Sequence, residues 1–597
     1  MDFTDGPSVI TGGFAMKPCS LLLCLGCAIM TRDIAMAQPN SPSIEAHVLP
    51  AYERARPNGE IAGSSEATLA AAQNETESFL VVVTARNGSL LNVSAKANPM
   101  VDAGGTPASM ECTLYRAVYV PVRVSSPRAT EPPGWIPDPL VPFVHPVTGE
   151  PIQTPVWNGE KVSGAQFGGV PFNVWEDHHE NIWIDIAVPK NAKSGEYKGS
   201  ISITAENAKP VDVPVTLIVW GFSLPEGPTH ENHFGGFERV AAYWGLNTDE
   251  EAYYAIEDQF IAMAADHRIN PPIPRRLMPT PGDDGVIAVD ADLEARLTQF
   301  MDRFHVTNFE IHRAPYTGNS EEDQVKRKNY YTSWHEFLAR KGWVDRSYIY
   351  MFDEPNTLED YDKVRELAAQ IEEAEPRLRR LIVEQTYTHD PAWGTLNEAI
   401  DIWCPLLGFI DEDSIRAVQA EGDTVWSYTA LTQRAHSYHP HYEEVKEDDP
   451  PYWQIDFSPL VYRIAPWINR RYNITGFLYW SSVYWGSPDR NPWHDPGFRV
   501  RWNGEGFLFY PGKEIGIDGP IASIRLKNFR DGMEDYEYLT ILEQRGGREA
   551  VDKIIREAVP TWSTWLENPA QTQPLPEKGM ILEALRLRIV EEIQKRP

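Results

Sequence analysis

The sequence predicts a multidomain chain: an N-terminal β-sandwich, then a (β/α)8 TIM-like barrel, then C-terminal helices. Three observations carry this. Strand-like runs crowd residues 44–225 without helices between them. Strand-like and helix-like runs then alternate from 230 to 480, and helical periodicity resumes after 521. At 597 residues the chain is too long for one core. The expected divisions are 1–37 as a signal-peptide region, 38–228 as the sandwich, 229–520 as the barrel and 521–597 as a helical segment.

The first stretch reads as an address. Lys17 precedes the apolar run Ser20–Met30, and Ala35-Met36-Ala37 supplies small residues at a processing site, so cleavage after Ala37 and a secreted or periplasmic location are expected. Cys19, Cys24 and Cys27 lie in this stretch. The mature chain keeps Cys112 and Cys404, far apart in sequence, which excludes a disulfide framework and reads as two buried thiols.

In the sandwich region, Ser78–Thr84 is a continuous apolar run and Leu114–Val122 an alternating one. Ile182–Pro189, Ser200–Thr204 and Val213–Trp220 follow, with turn chemistry over Lys190–Gly199. Many short strands without intervening helices indicate two packed sheets. Leu224-Pro225-Glu226-Gly227-Pro228 closes the domain.

The barrel region opens with the strand candidate Phe234–Phe237. Helices are expected over 248–266, 291–304, 331–341, 359–375, 413–420 and 457–470. Strands are expected at Val306–Ile311, Tyr348–Phe352, Leu381–Glu384, Ile402–Leu407, Thr424–Tyr428 and Ile474–Trp480. The tail carries apolar stripes over 535–542 and 579–594, expected as helices on the barrel exterior.

Net charge is −31, from 54 basic and 85 acidic residues, which disfavours nucleic acid and anionic membrane surfaces as partners. Outside the leader no stretch reaches the apolar length of a transmembrane helix. No His/Asp cluster has metal-ligand spacing, and no glycine loop is built to cradle phosphate, so neither metal nor cofactor is expected. Nineteen Trp and 25 Tyr leave ample rings for stacking against sugars or for core packing.

The chemistry concentrates at Tyr348-Ile349-Tyr350-Met351-Phe352-Asp353-Glu354-Pro355-Asn356. A buried strand ends in two adjacent carboxylates, and Pro355 fits the first position of a following helix. In a barrel the end of a strand is the catalytic rim. A rival pair, Asp411-Glu412, precedes Ser414 and reads as helix capping. Glu354 has no such structural role, because Asn356 and Thr357 are available as caps.

A retaining glycosidase of the usual kind needs two carboxylates about 5–5.5 Å apart across the bond. The later strands, ending Trp426-Ser427-Tyr428 and Tyr479-Trp480-Ser481, bring none, and only Glu384 on the next strand is available. Adjacent acids suit substrate-assisted catalysis, in which the sugar's own 2-acetamido oxygen attacks the anomeric carbon. Glu354 is then general acid and later base, Asp353 orients the acetamide, and Tyr387 is placed to bond its carbonyl. Trp426, Tyr428, Trp480, Trp485 and Trp493 are candidate sugar contacts or packing groups. His312, with Arg313 beside it, is a further candidate at a strand end.

Asp353-Glu354-Pro355 after an apolar strand, Gly476–Trp480, Gly504–Gly512 and Ile524–Tyr538, with Gln73–Phe79 and Gly195–Gly199 nearer the N-terminus, resemble glycoside hydrolase family 123. The resemblance spans about residues 60–540. It implies a sandwich followed by a catalytic barrel, and release of terminal β-linked N-acetylgalactosamine from a glycan or glycolipid, with Asp353 and Glu354 as the catalytic pair. Two alternatives stand beside it: an endo-acting or differently specific β-N-acetylhexosaminidase, and a non-catalytic glycan-binding protein.

Overall fold

The computed structural model describes residues 41–152, 156–157, 160–161, 168–487, 490–567 and 575–596. The expected leader, with its three cysteines, lies outside them. Residues from Ser41 onward form one compact unit.

Its N-terminal part is sheet-rich. One five-stranded antiparallel sheet runs, in spatial order, Ser43–Pro50, Glu75–Arg86, His179–Val188, Glu111–Val122, Gly134–Pro142. A second sheet is built around Gly195–Ala205 and Ala208–Ser223, with Ala67–Gln73 joined in parallel at one edge. Facing residues of both sheets, among them Phe79, Val81, Ile184, Ile201 and Leu217, share one core. The opposite face of the first sheet is buried too. Leu80, Val82 and Trp183 pack with Ile524. Burial on both faces explains why Ser78–Thr84 is continuously apolar instead of alternating. The turn expected through Gly199 is shorter, because Gly195 already pairs with Val219.

The C-terminal part holds a seven-stranded, wholly parallel sheet. Its strands, labelled here in chain order, are β1 (Glu231–His233), β2 (Phe309–Glu310), β3 (Ser347–Asp353), β4 (Arg379–Val383), β5 (Ile402–Trp403), β6 (Thr424–Thr429) and β7 (Gly476–Tyr479). The order β1-β7-β6-β5-β4-β3-β2 bends the sheet into a nearly closed barrel. The first strand ends before the expected Phe234–Phe237, where Gly235 turns through φ +72°.

Among the described residues of this sheet, the edge between β1 and β2 alone lacks a ladder, and side-chain amides bridge it. Asn270 N–H donates to Asn232 Oδ1 (2.8 Å), Thr307 N–H to Asn270 Oδ1 (2.9 Å), and Asn308 Nδ2 to the Asn232 carbonyl (2.9 Å). These three buried asparagines do the work of backbone pairing, so residues 268–270 contribute no regular strand.

Two helices join the parts. Helix α1 (Leu460–Arg471) packs on α2 (Ile524–Gln544), and α2, outside the barrel, is covered on its other side by the first N-terminal sheet. Almost every residue of α2 through Leu539 is buried, including Arg525, Lys527, Arg530, Glu534 and Asp535. Their charges are matched: Arg525 with Asp138 (3.0 Å, both side chains fully buried), Lys527 with Asp185, and Arg463 with Asp535 (2.8 Å).

Candidate active site

Strand β3 delivers the acid pair. Its pairing with β4 shifts register between Tyr350 and Phe352, and such irregularities re-aim side chains beside functional sites. The shift lets the Tyr350 hydroxyl reach Asp353, donating to Oδ1 at 2.9 Å. Glu354 follows with φ +47°, a left-handed conformation that a glutamate adopts only under constraint. Two bonds hold it there: Glu354 N–H to the Val383 carbonyl (3.0 Å) and Asn356 Nδ2 to the Glu354 carbonyl (2.6 Å). The Tyr428 hydroxyl, from the end of β6, donates to Glu354 Oε1. Both acids are exposed, so each carboxylate is held by a tyrosine yet open to a ligand.

Pro355 does not open the following helix. That helix runs Leu358–Ala374 and is capped by Thr357, whose side chain accepts from Asp360 N–H (3.1 Å). The rival Asp411 caps its own helix by accepting from Ser414 N–H (2.8 Å).

Glu384 follows β4 and is buried. Its Oε1 accepts from Gln385 N–H (2.6 Å) and lies 2.7 Å from His389 Nε2. Burial raises its carboxyl above the ordinary range, His389 opposes the rise, and the charge of Glu354 adds to it. A carboxyl turned inward to His389 is poorly disposed as a second reacting carboxylate. His389 stacks on Tyr438 (ring centroids 4.1 Å apart), and burial with the charges of Glu384 and Glu354 pushes the Tyr438 hydroxyl up to about 12. Burial, then Glu354, raises the Tyr428 hydroxyl well above its usual value, so it stays a donor at physiological pH. The Cys404 thiol is buried and raised by that burial and by Asp353.

The remaining expected contacts separate into rim and core. Trp480, at the end of β7, is half-buried. Its indole N–H donates to Glu505 Oε1 (2.7 Å), and buried Glu505 also accepts from Gln454 Nε2 (2.6 Å). His312 is exposed on a 660 Å³ cleft at the β1–β2 side of the mouth, which His233, Glu238, Glu310 and Tyr348 also line. Its Nδ1 is 3.7 Å from Glu310, which raises the imidazole's pKa. Arg313 donates to the Met351 carbonyl (3.1 Å).

Three tryptophans are corrections. Trp426 is fully buried, its N–H on Glu231 (3.0 Å) and its ring over Gly476. Trp485 donates to the Phe509 carbonyl (2.8 Å) inside a cluster with Tyr243 and Phe260, and Trp493 donates to the Pro511 carbonyl (3.0 Å). These rings pack the core and offer no face to a sugar. Tyr387 is half-buried with its hydroxyl already donating to the Phe409 carbonyl (3.2 Å), so it is not the free donor expected for an acetamide.

The sequence reading passed over Tyr350, His233, Tyr438, His389 and Glu505. Only Tyr350 left a signal, three residues before Asp353 in the same strand. His233 ends strand β1, and the other three reach the site from loops.

Residues 299–542 match the family model described as the catalytic domain of glycoside hydrolase 123. Among solved structures, a family 123 glycoside hydrolase from Clostridium perfringens, described in terms of glycolipid glycan hydrolysis, is 16% identical with a TM-score of 0.63, covering 93% of this chain and 98% of that one. A GH5 xyloglucanase from Bacteroides ovatus is 8% identical with a TM-score of 0.26, over 82% of this chain and 100% of that one. A comparison with curated proteins finds no match.

Proposed function

We propose that this chain, which belongs to glycoside hydrolase family 123, is an exported enzyme releasing terminal β-linked N-acetylgalactosamine from glycan or glycolipid chains by substrate-assisted, retaining catalysis. The observation that carries the reading is the arrangement of carboxylates. Asp353 and Glu354 stand side by side and exposed, while Glu384 is buried against His389.

In the first step Glu354 gives its proton to the leaving oxygen as the acetamide oxygen bonds to the anomeric carbon. Asp353 accepts the acetamide N–H, raising the oxygen's nucleophilicity and stabilising the positive charge of the oxazolinium ring. In the second step water attacks the same carbon, its proton passes to Glu354, and the acetamide is restored with net retention. Tyr428 and Tyr350 keep the two carboxylates apart in role, each fixing one. On the same reading the two N-terminal sheets are halves of a β-sandwich, and residues 268–270 occupy the second strand position of a (β/α)8 barrel. The glycolipid glycan hydrolysis described for the Clostridium perfringens enzyme supports trying glycolipid glycans as substrates.

The test is hydrolysis of aryl β-N-acetylgalactosaminide beside the N-acetylglucosaminide and an aryl β-galactoside lacking the acetamide. The first is expected to be cleaved fastest and the last not at all. Asp353→Asn is expected to lower kcat by about 10²–10³-fold, the scale of one lost transition-state hydrogen-bonding group. Cleavage of the galactoside at a comparable rate, or full activity of Asp353→Asn, would sink the mechanism.

A further inference from the structure

Beside the mouth, the short antiparallel pair β8 (Gly497–Phe498) and β9 (Trp502–Asn503) carries a tip built of Arg499, Val500 and Arg501. Arg499 and Val500 have φ of +43° and +79°, two consecutive non-glycine residues in the left-handed region. Val500 is β-branched and 79% exposed, so no packing rewards its conformation. Strain of this kind, on the order of 1–3 kcal/mol per residue, persists mainly where position matters for function.

The tip is anchored to the catalytic rim. The Phe498 ring lies 5.7 Å from that of Trp480, and Trp502 Nε1 donates to Thr432 Oγ1 (3.1 Å) in the loop after β6. On its other side, facing the N-terminal sheet, is a 390 Å³ cleft. Three guanidiniums line it, from Arg123, Arg490 and Arg499, and Asp495 is the sole carboxylate of that lining among the described residues. Asp495 lies 3.4 Å from Arg490. Arg123 donates to the His494 carbonyl (2.7 Å), and Arg499 rests over Phe498. Among the described residues neither has a carboxylate within ion-pair distance.

We propose that this cleft binds an oxyanion, a sulfate ester or a carboxylate, on the part of the glycan that remains after the terminal sugar leaves. Guanidiniums that meet no carboxylate among the described residues, as on Arg123 and Arg499, give the planar, paired donors that such groups accept. The Trp480–Phe498 contact places the cleft where a chain leaving the acid pair over the β7 side of the rim would pass. The substrate part of this proposal rests on the glycosidase reading above; the anion site does not.

Two measurements decide it. Isothermal titration with inorganic sulfate is expected to show binding to the wild type and its loss in the double variant Arg123→Gln/Arg499→Gln, with unchanged Tm as the folding control. No sulfate binding, or binding untouched by the substitutions, overturns the site. Hydrolysis is then compared on neutral, sulfated and carboxylated oligosaccharides with a terminal β-linked N-acetylgalactosamine. The double variant is expected to lose about ten-fold in kcat/KM on the acidic chains, the scale of one charge-assisted hydrogen bond. Aryl N-acetylgalactosaminide, too short to reach the cleft, is expected to change less than two-fold. A loss confined to one acidic chain identifies the group. An equal effect on neutral and acidic substrates overturns the substrate role even if sulfate binds. If the aryl substrate is not cleaved at all, the glycosidase reading fails while the titration still decides the cleft.

Discussion

The acid pair on β3 and the charged helix α2 are both rich in ionisable residues, and both lie in stretches that carry the family resemblance. They handle charge in opposite ways. At the mouth, Asp353 and Glu354 are exposed, held by tyrosine hydroxyls, and set on a left-handed backbone turn. In α2, carboxylates and guanidiniums are buried, and Asp138, Asp185 and Arg463 from other elements answer them. A charge held by neutral donors remains free to meet a ligand. A charge met by a full counter-charge in the interior is spent on fixing how two parts of the molecule dock. Recurrence in a family motif does not distinguish the two, but exposure and the kind of partner do.

Three experiments break or sharpen this contrast. The largest effect is expected from Glu354→Gln, which keeps size and removes the transferable proton: kcat falls by about 10²–10⁴-fold, least for substrates with excellent leaving groups. Its Tm should not fall, since the exposed carboxylate supports no packing. A variant losing both activity and Tm would place Glu354 with α2.

Arg525→Met is expected to do the reverse. Asp138 would be left buried without its partner, costing about 3–5 kcal/mol of stability in urea unfolding. Molecules that remain folded should keep near-normal kcat. Tyr510, which also donates to Asp138 (2.6 Å), softens the loss.

The smallest effect concerns pH. Burial raises Glu537 of α2 to about 7, although it accepts from both Thr229 N–H and its hydroxyl. A carboxyl with a raised folded pKa binds its proton more tightly folded than unfolded. Its contribution to stability is therefore fully present below the unfolded value and is lost as pH rises through the folded one. From this group, unfolding free energy should decline between about pH 4.5 and 8, by at most about 3 kcal/mol. Glu537→Gln should flatten that slope; an unchanged slope in the variant would assign the pH dependence to other groups.

Much of the fold was legible because it is written in local pattern. The parallel strands fall where apolar runs alternate with helical periodicity, and the continuous apolar run Ser78–Thr84 lies within a strand. The closure between β1 and β2 was not legible. Asn232, Asn270 and Asn308 look like ordinary polar residues until they meet across the gap. The acid pair was readable from its position after β3. The tryptophans were not, because an indole beneath a sugar and an indole in a core are the same residue in sequence. Trp426 and Trp493 went inside, and Trp480 stayed at the rim where Glu505 holds it.

By itself the sequence determined that two carboxylates end an apolar strand and that the later barrel strands bring no third to face them. Those facts depend on covalent order and strand periodicity alone. Tertiary structure decided what each group meets: Tyr350 on Asp353, Tyr428 on Glu354, His389 beside Glu384, and Arg123 and Arg499 gathered on one cleft beside the mouth. Tyr350 and His389 are local to the acids they meet, but Tyr428 lies 74 residues from Glu354 and Arg123 hundreds from Arg499, and contacts of that kind exist only once the sheets have closed around them.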